Sequence, residues 1–172
     1  MRDLDKKLFF DAMPGRYRAL DDWKRDMATN EIDVVVCLTS DHEITEKSPE
    51  YADLRAQAEQ LPDSKKLSVG ARSVEVIDFP IEDFSAPAPQ HVTEFWDLAA
   101  QIAQEMDVGH RVFIHCGAGI GRTGTMAVAA LMQQGIPREE ALRQVAAAGS
   151  GPENPTQHEL LKGGAPSSSG TS

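Results

Sequence analysis

Apolar residues in this chain fall into two kinds of segment, short continuous runs and stretches with a repeat of three to four. Residues 32–38 (IDVVVCL) form a β-branched run and predict a central strand buried on both faces. Residues 111–115 (RVFIH) predict a second buried strand, residues 73–77 a third and residues 7–10 a short first one. Residues 17–30 carry Leu20, Trp23 and Met27 at helical spacing. Residues 90–106 predict the clearest helix, with Val92, Phe95, Trp96, Ala99, Ile102, Ala103 and Met106 on a core-facing stripe. Residues 123–134 predict a helix that is apolar all round over 126–132, hence buried in the middle of the protein and ended by Gly135. Ser48 and Pro49 read as N-cap and first position of a helix reaching residue 60. Pro137 opens another helix over 138–148, and Thr156 is expected to cap a last one ending at 162. Residues 39–47, 61–72, 79–89 and the Gly149-Ser-Gly-Pro152 turn read as loops, and the Met13-Pro-Gly-Arg16 stretch breaks the first strand.

Strands alternating with helices predict one α/β domain over residues 1–162, a mainly parallel central sheet flanked by helices. Binding sites in such sheets lie at the C-terminal strand ends. The Gly-, Ser- and Pro-rich stretch 163–172 is expected to be a disordered tail.

Composition narrows the function. The 172 residues carry a formal net charge of −10, which argues against broad electrostatic binding to nucleic acid or an anionic membrane. No apolar run is long enough to span a bilayer, and the charged start (MRDLDKK) lacks an apolar signal segment. Two cysteines do not make a disulfide framework. A cytoplasmic monomer is expected.

The chemistry concentrates in residues 115–124 (HCGAGIGRTG). Cys116 sits between a strand and a helix N-terminus, with Gly117, Ala118, Gly119, Ile120 and Gly121 in the connecting loop. Loop amides and helix dipole together form a cradle for a dianion and favour a thiolate at Cys116. Arg122 adds a planar fork for two phosphate oxygens. Alternating glycines allow the unusual backbone angles of an inward-curled loop. Breaking a P–O bond also needs a proton for the leaving oxygen. Residues 79–89 (FPIEDFSAPAP) offer Glu82 and Asp83 over the same rim, whereas Asp78 is too close to its strand.

The run His115-Cys116-x5-Arg122-Thr123 resembles the signature of the cysteine-dependent protein tyrosine phosphatases. Rhodanese-type sulfurtransferases use a loop one residue shorter. The uncharged Ala118 and Ile120 speak against an inositol polyphosphate head group, for which relatives often place lysines there. In dual-specificity phosphatases a mobile loop carries an aspartate in a Pro-Ile-x-Asp context about thirty residues before the cysteine, which Asp83 matches. By the same resemblance Thr123 stabilises Cys116 as a leaving group, and helix capping is its structural alternative. Gln157 falls where relatives keep a glutamine near the pocket. His115 is expected to brace the loop, and His42, His91, His110 and His158 to lie on the surface. Met13-Pro-Gly15, residues 35–39, the Pro-Ile-Glu-Asp loop, the signature and Gly149-Ser-Gly with Gln157 occur in the order found in the kinase-associated phosphatase branch.

The resemblance implies a metal-independent, cofactor-free protein phosphatase working through a phosphocysteine. Its substrates would be phosphorylated proteins. Long tyrosine-pocket elements are not evident, which implies a shallow pocket admitting phosphoserine and phosphothreonine beside phosphotyrosine. A phosphatase of a small or non-protein ester would use the same residues, and a phosphate-binding pseudoenzyme would lack turnover. Cys37 ends the strand over 32–38 and reads either as core or as a resolving thiol for an oxidised Cys116.

Overall fold

The computed structural model describes residues 1–164; the remainder of the expected tail lies outside the described residues. One seven-stranded sheet forms the centre. Its strands are β1 (Arg2–Leu4), β2 (Leu8–Asp11), β3 (Val34–Cys37), β4 (Glu59–Gln60), β5 (Lys65–Val69), β6 (Arg72–Asp78) and β7 (Val112–His115), in the order β1-β2-β7-β3-β6-β5-β4. The middle four, β2, β7, β3 and β6, run parallel, while β1, β5 and β4 are added antiparallel at the edges. Parallel strands covered on both faces need continuous apolar sequence. That is why Leu8, Phe9 and Phe10, the valines of β3, and Val112, Phe113 and Ile114 are all buried.

The helices form two outer layers. On one face α4 (Val92–Asp107), α5 (Gly121–Gln133), α6 (Arg138–Ala147) and α7 (Pro155–Lys162) pack on Val34, Val36, Val112 and Ile114. On the other, α1 (Leu20–Thr29), α2 (Asp41–Lys47) and α3 (Pro49–Arg55) pack on Phe9, Val35, Cys37 and Phe113. Helix α5 is buried all round, as its composition predicts. It also approaches the 149–152 turn so closely that a Cβ on Gly124 would run into the backbone of Gly151.

The structure departs from the sequence reading in several places. Residues 39–47 are not a loop: Ser40 accepts a hydrogen bond from the Glu43 amide at 3.1 Å and starts α2. Residues 61–72 are not irregular, because β5 pairs with β6 over the Gly70 turn. Residues 2–4 form an unforeseen edge strand. Ser48 does not cap α3 through its side chain; its hydroxyl donates to the Pro14 carbonyl instead, at 2.8 Å. Asn154, not Thr156, caps α7, accepting from the Gln157 amide. Leu98 belongs to the buried stripe of α4, whereas Val92 and Trp96 are only half-buried.

The parallel register aligns four strand ends: Asp11 opposite His115, Cys37 opposite His115 and Asp78 opposite Cys37. The segments that leave these four positions therefore meet at one rim.

Candidate active site

The loop after β7 is shaped from outside. In a trans peptide the C=O and the following N–H point in opposite directions, so tying a carbonyl outward turns the next amide inward. Gly117 O accepts from the Met13 amide at 3.2 Å. Gly119 O accepts from Arg2 Nη2 at 2.8 Å and from Ser150 Oγ at 3.0 Å. Ile120 O accepts from Ser150 Oγ at 2.8 Å and from the Gly151 amide. Gly119 lies at φ +76, and a Cβ there would strike the Asp11 carbonyl, so only glycine fits. The amides of residues 118, 120 and 121 are thereby directed to the space above Cys116. Helix α5 begins at Gly121 and adds its N-terminal dipole.

His115 supports the same loop from beneath. Its Nδ1 lies 3.2 Å from the Cys116 carbonyl, which can only accept, so Nδ1 carries the proton. Nε2 then accepts from the Tyr51 hydroxyl at 2.8 Å. Burial pushes the His115 pKa down to about 4, which keeps the ring neutral, and burial likewise raises that of Tyr51. Tyr51 comes from α3, and sequence reasoning gave it no role at the site. His42, His91 and His110 lie on the surface beside Glu46, Glu94 and Glu105.

Arg122 is buried and almost fully engaged. Nη1 donates to Glu43 Oε1 and to Ile81 O, both at 2.9 Å. Nη2 donates to Glu43 Oε2 at 2.9 Å and lies 3.1 Å from Asp83 Oδ1. Burial opposes its charge, but the Glu43 hydrogen bonds, with Cys116 and Asp83 nearby, more than offset this and its pKa is raised. Of the five guanidinium N–H groups, Nε–H has no such partner among the described residues. Nε–H, together with the Nη2 donor that faces Asp83, is the fork available to a phosphate. The Arg122 hydrogen bonds also hold the Glu43 carboxyl down at about 2, helped by Lys47 at 2.9 Å. Glu43 is the main site residue that sequence reasoning missed. The signal was the spacing Ser40-x-x-Glu43, the start of a capping box. Here the glutamate side chain turns to Arg122 instead of back to the cap.

Asp83 and not Glu82 faces Cys116. Asp83 lines a pocket of about 240 Å³ with Cys116, Ala118, Gly121, Arg122, Arg16, Tyr17, Phe84 and Glu153. Glu82 lines a separate pocket behind the loop, with Phe79 and His91. Asp78 is engaged by Arg55 and Lys65, each at 3.0 Å. Thr123 follows Arg122 at the start of α5 and is fully buried, and its hydroxyl has no hydrogen-bond partner among the described residues. It does not cap α5.

Two expected site residues are placed elsewhere. Gln157 is buried beneath the acid loop instead of lining the pocket over Cys116. Its Nε2 donates to Ser85 O at 3.2 Å and its Oε1 accepts from the Glu153 amide at 2.7 Å. It is a positioning residue in this arrangement, not a phosphate ligand. Cys37 is not brought to Cys116. Side chains alternate along β3 and β7, so Cys37 packs with Phe9, Val35 and Phe113 while Cys116 packs with Leu38 and Ile114 on the other face. Both thiols are free, and burial pushes the Cys37 pKa up to about 11. A thiol so placed is poorly suited to attack an oxidised Cys116.

A family model described as "Polymorphic toxin system, DSP-PTPase phosphatase" matches residues 11–136. The chain belongs to this phosphatase family. Among curated proteins it is similar to mouse protein tyrosine phosphatase type IVA 3, 34% identical over 70 residues that make up 41% of this chain and 40% of that one. Mouse type IVA 2 is 30% identical over 78 residues, 45% of this chain and 46% of the relative. The match thus spans less than half the length of these curated relatives. Among solved structures, Tk-PTP in its active form is 31% identical, with 94% of this chain and 92% of that chain covered and a TM-score of 0.64. Kinase-associated phosphatase is 17% identical, with 90% and 83% covered and a TM-score of 0.69, a likeness of fold alone. The expected branch is therefore not distinguished from the type IVA relatives, whereas the α/β fold of protein tyrosine phosphatases is shown. These relatives are phosphoric monoester hydrolases. No helix of the described residues is long and apolar enough to cross a membrane.

Proposed function

We propose that this chain is a protein phosphatase that hydrolyses phosphorylated side chains through a phosphocysteine. The observation that carries the reading is the shared pocket of Cys116, Arg122 and Asp83, with the buried Arg122 fork aimed by Glu43 beside an inward-facing amide cradle. The Cys116 thiolate attacks phosphorus in line with the leaving oxygen, so an S–P bond forms as the P–O bond breaks. Amides of residues 117–121 and Arg122 hold the three equatorial oxygens. An incoming dianion takes the Nη2 donor from Asp83, and Asp83 delivers a proton to the leaving oxygen. It then takes one from the water that breaks the S–P bond. The buried Thr123 hydroxyl is the donor for the departing Cys116 sulfur.

No cofactor enters this sequence of steps, and phosphorylated protein is the partner. A monomer acting in a reducing cytoplasm accords with the need for a free thiolate. The test is turnover of p-nitrophenyl phosphate without added metal, insensitive to EDTA and blocked by vanadate. Acid quenching should trap a label on Cys116 from ³²P-phosphopeptide. Activity that persists in Cys116→Ser, or a label on another residue, would overturn the reading.

A further inference from the structure

The cradle leans on a strand that the catalytic chemistry does not call for. Strand β1 has three residues, lies at the edge of the sheet and carries Arg2 opposite Phe10. The Arg2 guanidinium sits over the Phe10 ring, 5.5 Å from its centre. Nη2 donates to Gly119 O at 2.8 Å and Nη1 to Gly149 O at 2.6 Å. One planar fork thus joins the cradle to the turn that follows α6. The fit is close: Gly149 lies at φ +91, and a Cβ there would come within 3.3 Å of Arg2 Nη1.

Gly119 O has one undivided donor. Ser150 Oγ lies 3.0 Å from it but 2.8 Å from Ile120 O, and a hydroxyl has a single proton to give. Arg2 is therefore what holds the Gly119 carbonyl outward. That carbonyl and the Ile120 amide share one peptide plane, so Arg2 also holds the Ile120 N–H inward. The charge adds to the contact. Most arginines of the chain meet a carboxylate, whereas Arg2 has none among the described residues. A cation bonded to a carbonyl polarises the peptide and strengthens its N–H as a donor. In a chain of net charge −10, an unpaired cation fixed behind the loop adds to the field that a dianion meets in front of it.

We infer that Arg2 is a positioning residue for phosphate binding: from the edge strand it sets the Gly119–Ile120 peptide with its amide inward and lends its charge to the cradle through that peptide. This rests on the phosphatase reading of the same site. It gives β1 a function beyond closing the sheet, since the strand carries the group that completes the cradle.

The experiment measures affinity for inorganic phosphate, apart from turnover, in wild type, Arg2→Lys and Arg2→Met. Lysine keeps the charge without the fork, and methionine keeps apolar cover on Phe10 without charge or donors. Arg2 is half-buried at the sheet edge, so neither change disturbs the core. Affinity should fall about threefold in Arg2→Lys and about 10–100-fold in Arg2→Met. In Arg2→Met, kcat for p-nitrophenyl phosphate should also fall about tenfold. The Ile120 amide nitrogen resonance senses a hydrogen bond on the preceding carbonyl. It should move in Arg2→Met, and its response to phosphate should shrink. A merely structural β1 would lower the urea midpoint yet leave phosphate affinity and this resonance in place, and that result would overturn the proposal while Cys116-dependent turnover still stood. Arg2→Lys as weak as Arg2→Met would overturn the contribution of the charge. Phosphate binding without turnover in the wild type would instead overturn the phosphatase reading and leave the comparison of the three proteins intact.

Discussion

The cradle over residues 116–121 and the acid loop over residues 79–88 leave β7 and β6, the two strands that flank β3, but are held differently. The cradle's carbonyls are tied by Met13, Arg2, Ser150, Gly151 and His115, which belong to four separate parts of the chain. The base of the acid loop is fixed by the Ile81 amide on Leu38 O, but its tip is tied to the rest of the molecule through side chains: Arg122 on Asp83, Asn154 on Phe84 O and Gln157 on Ser85 O. Asp83 itself is about half exposed, whereas Cys116 is buried. The proposed reaction, which needs fixed donors for a dianion and room for substrate to enter and leave, calls for both kinds of attachment. The cradle is pre-organised, and the acid loop is tethered so that it can yield.

The largest effect should come from the cradle. Cys116→Ser should lower kcat by about 10⁴-fold or more while vanadate or phosphate still binds, since the amides remain. Loss of phosphate binding together with turnover would mean the cradle depends on the sulfur and is not preformed. Asp83→Asn comes next, with kcat for phosphotyrosine lower by about 10²–10⁴-fold. The loss should shrink for aryl phosphates whose leaving groups depart unprotonated, and the basic limb of the kcat–pH profile should flatten. If Glu82→Gln has these effects instead, the acid loop is placed differently in solution.

Glu43→Ala tests the link between the two loops. It leaves Arg122 buried without its main partner, so unfolding in urea should show a loss of about 3–5 kcal/mol at neutral pH. Misaimed by about 1 Å, Arg122 should also lower kcat/KM by up to about 10²-fold. The sign with pH follows from the lowered Glu43 pKa. Its stabilisation is complete above the ordinary value of 4.5 and fades as pH falls through about 2, so wild type and variant should converge over that window. A gap that stays constant from pH 5 to pH 2 would show that the ion pair is not its source.

The smallest effect should come from the tether. Asn154→Ser keeps a residue able to cap α7 but removes the Nδ2 donor to Phe84 O. Turnover should fall by less than about tenfold with vanadate affinity unchanged. A large loss of vanadate affinity would show that the two loops are not separately held.

Cys116, the loop glycines, Arg122 and the Asp83 loop were legible in the sequence because their spacing is local. A strand, a glycine-rich turn and a helix N-terminus follow one another without a gap. The parallel strands were legible because burial on both faces writes continuous apolar runs. Glu43 was not, since its partner lies 79 positions away and nothing in a polar stretch announces which charge it will meet. Arg2, Tyr51 and Ser150 escaped for the same reason: each acts on the loop through a contact made only by tertiary packing. The β5 strand was hidden because Lys65, Lys66 and Ser68 interrupt its apolar pattern. The two sides of β3 and β7 were in principle readable from strict alternation, which sends Cys37 and Cys116 to opposite faces.

The aligned strand ends bear on when the protein becomes active as well as where. Strand β7 pairs on one side with β2 and on the other with β3, about a hundred and about eighty residues earlier. Residues from Arg2 to Gln157 must all be in place before the cradle and its acid loop coexist. Such long-range pairing forms slowly, and no contiguous fragment contains the site. Catalysis is therefore a late product of folding, and turnover reports on the integrity of the entire sheet. In a denaturant titration, activity should disappear together with the far-ultraviolet signal, and halves of the chain expressed separately should be inert until mixed.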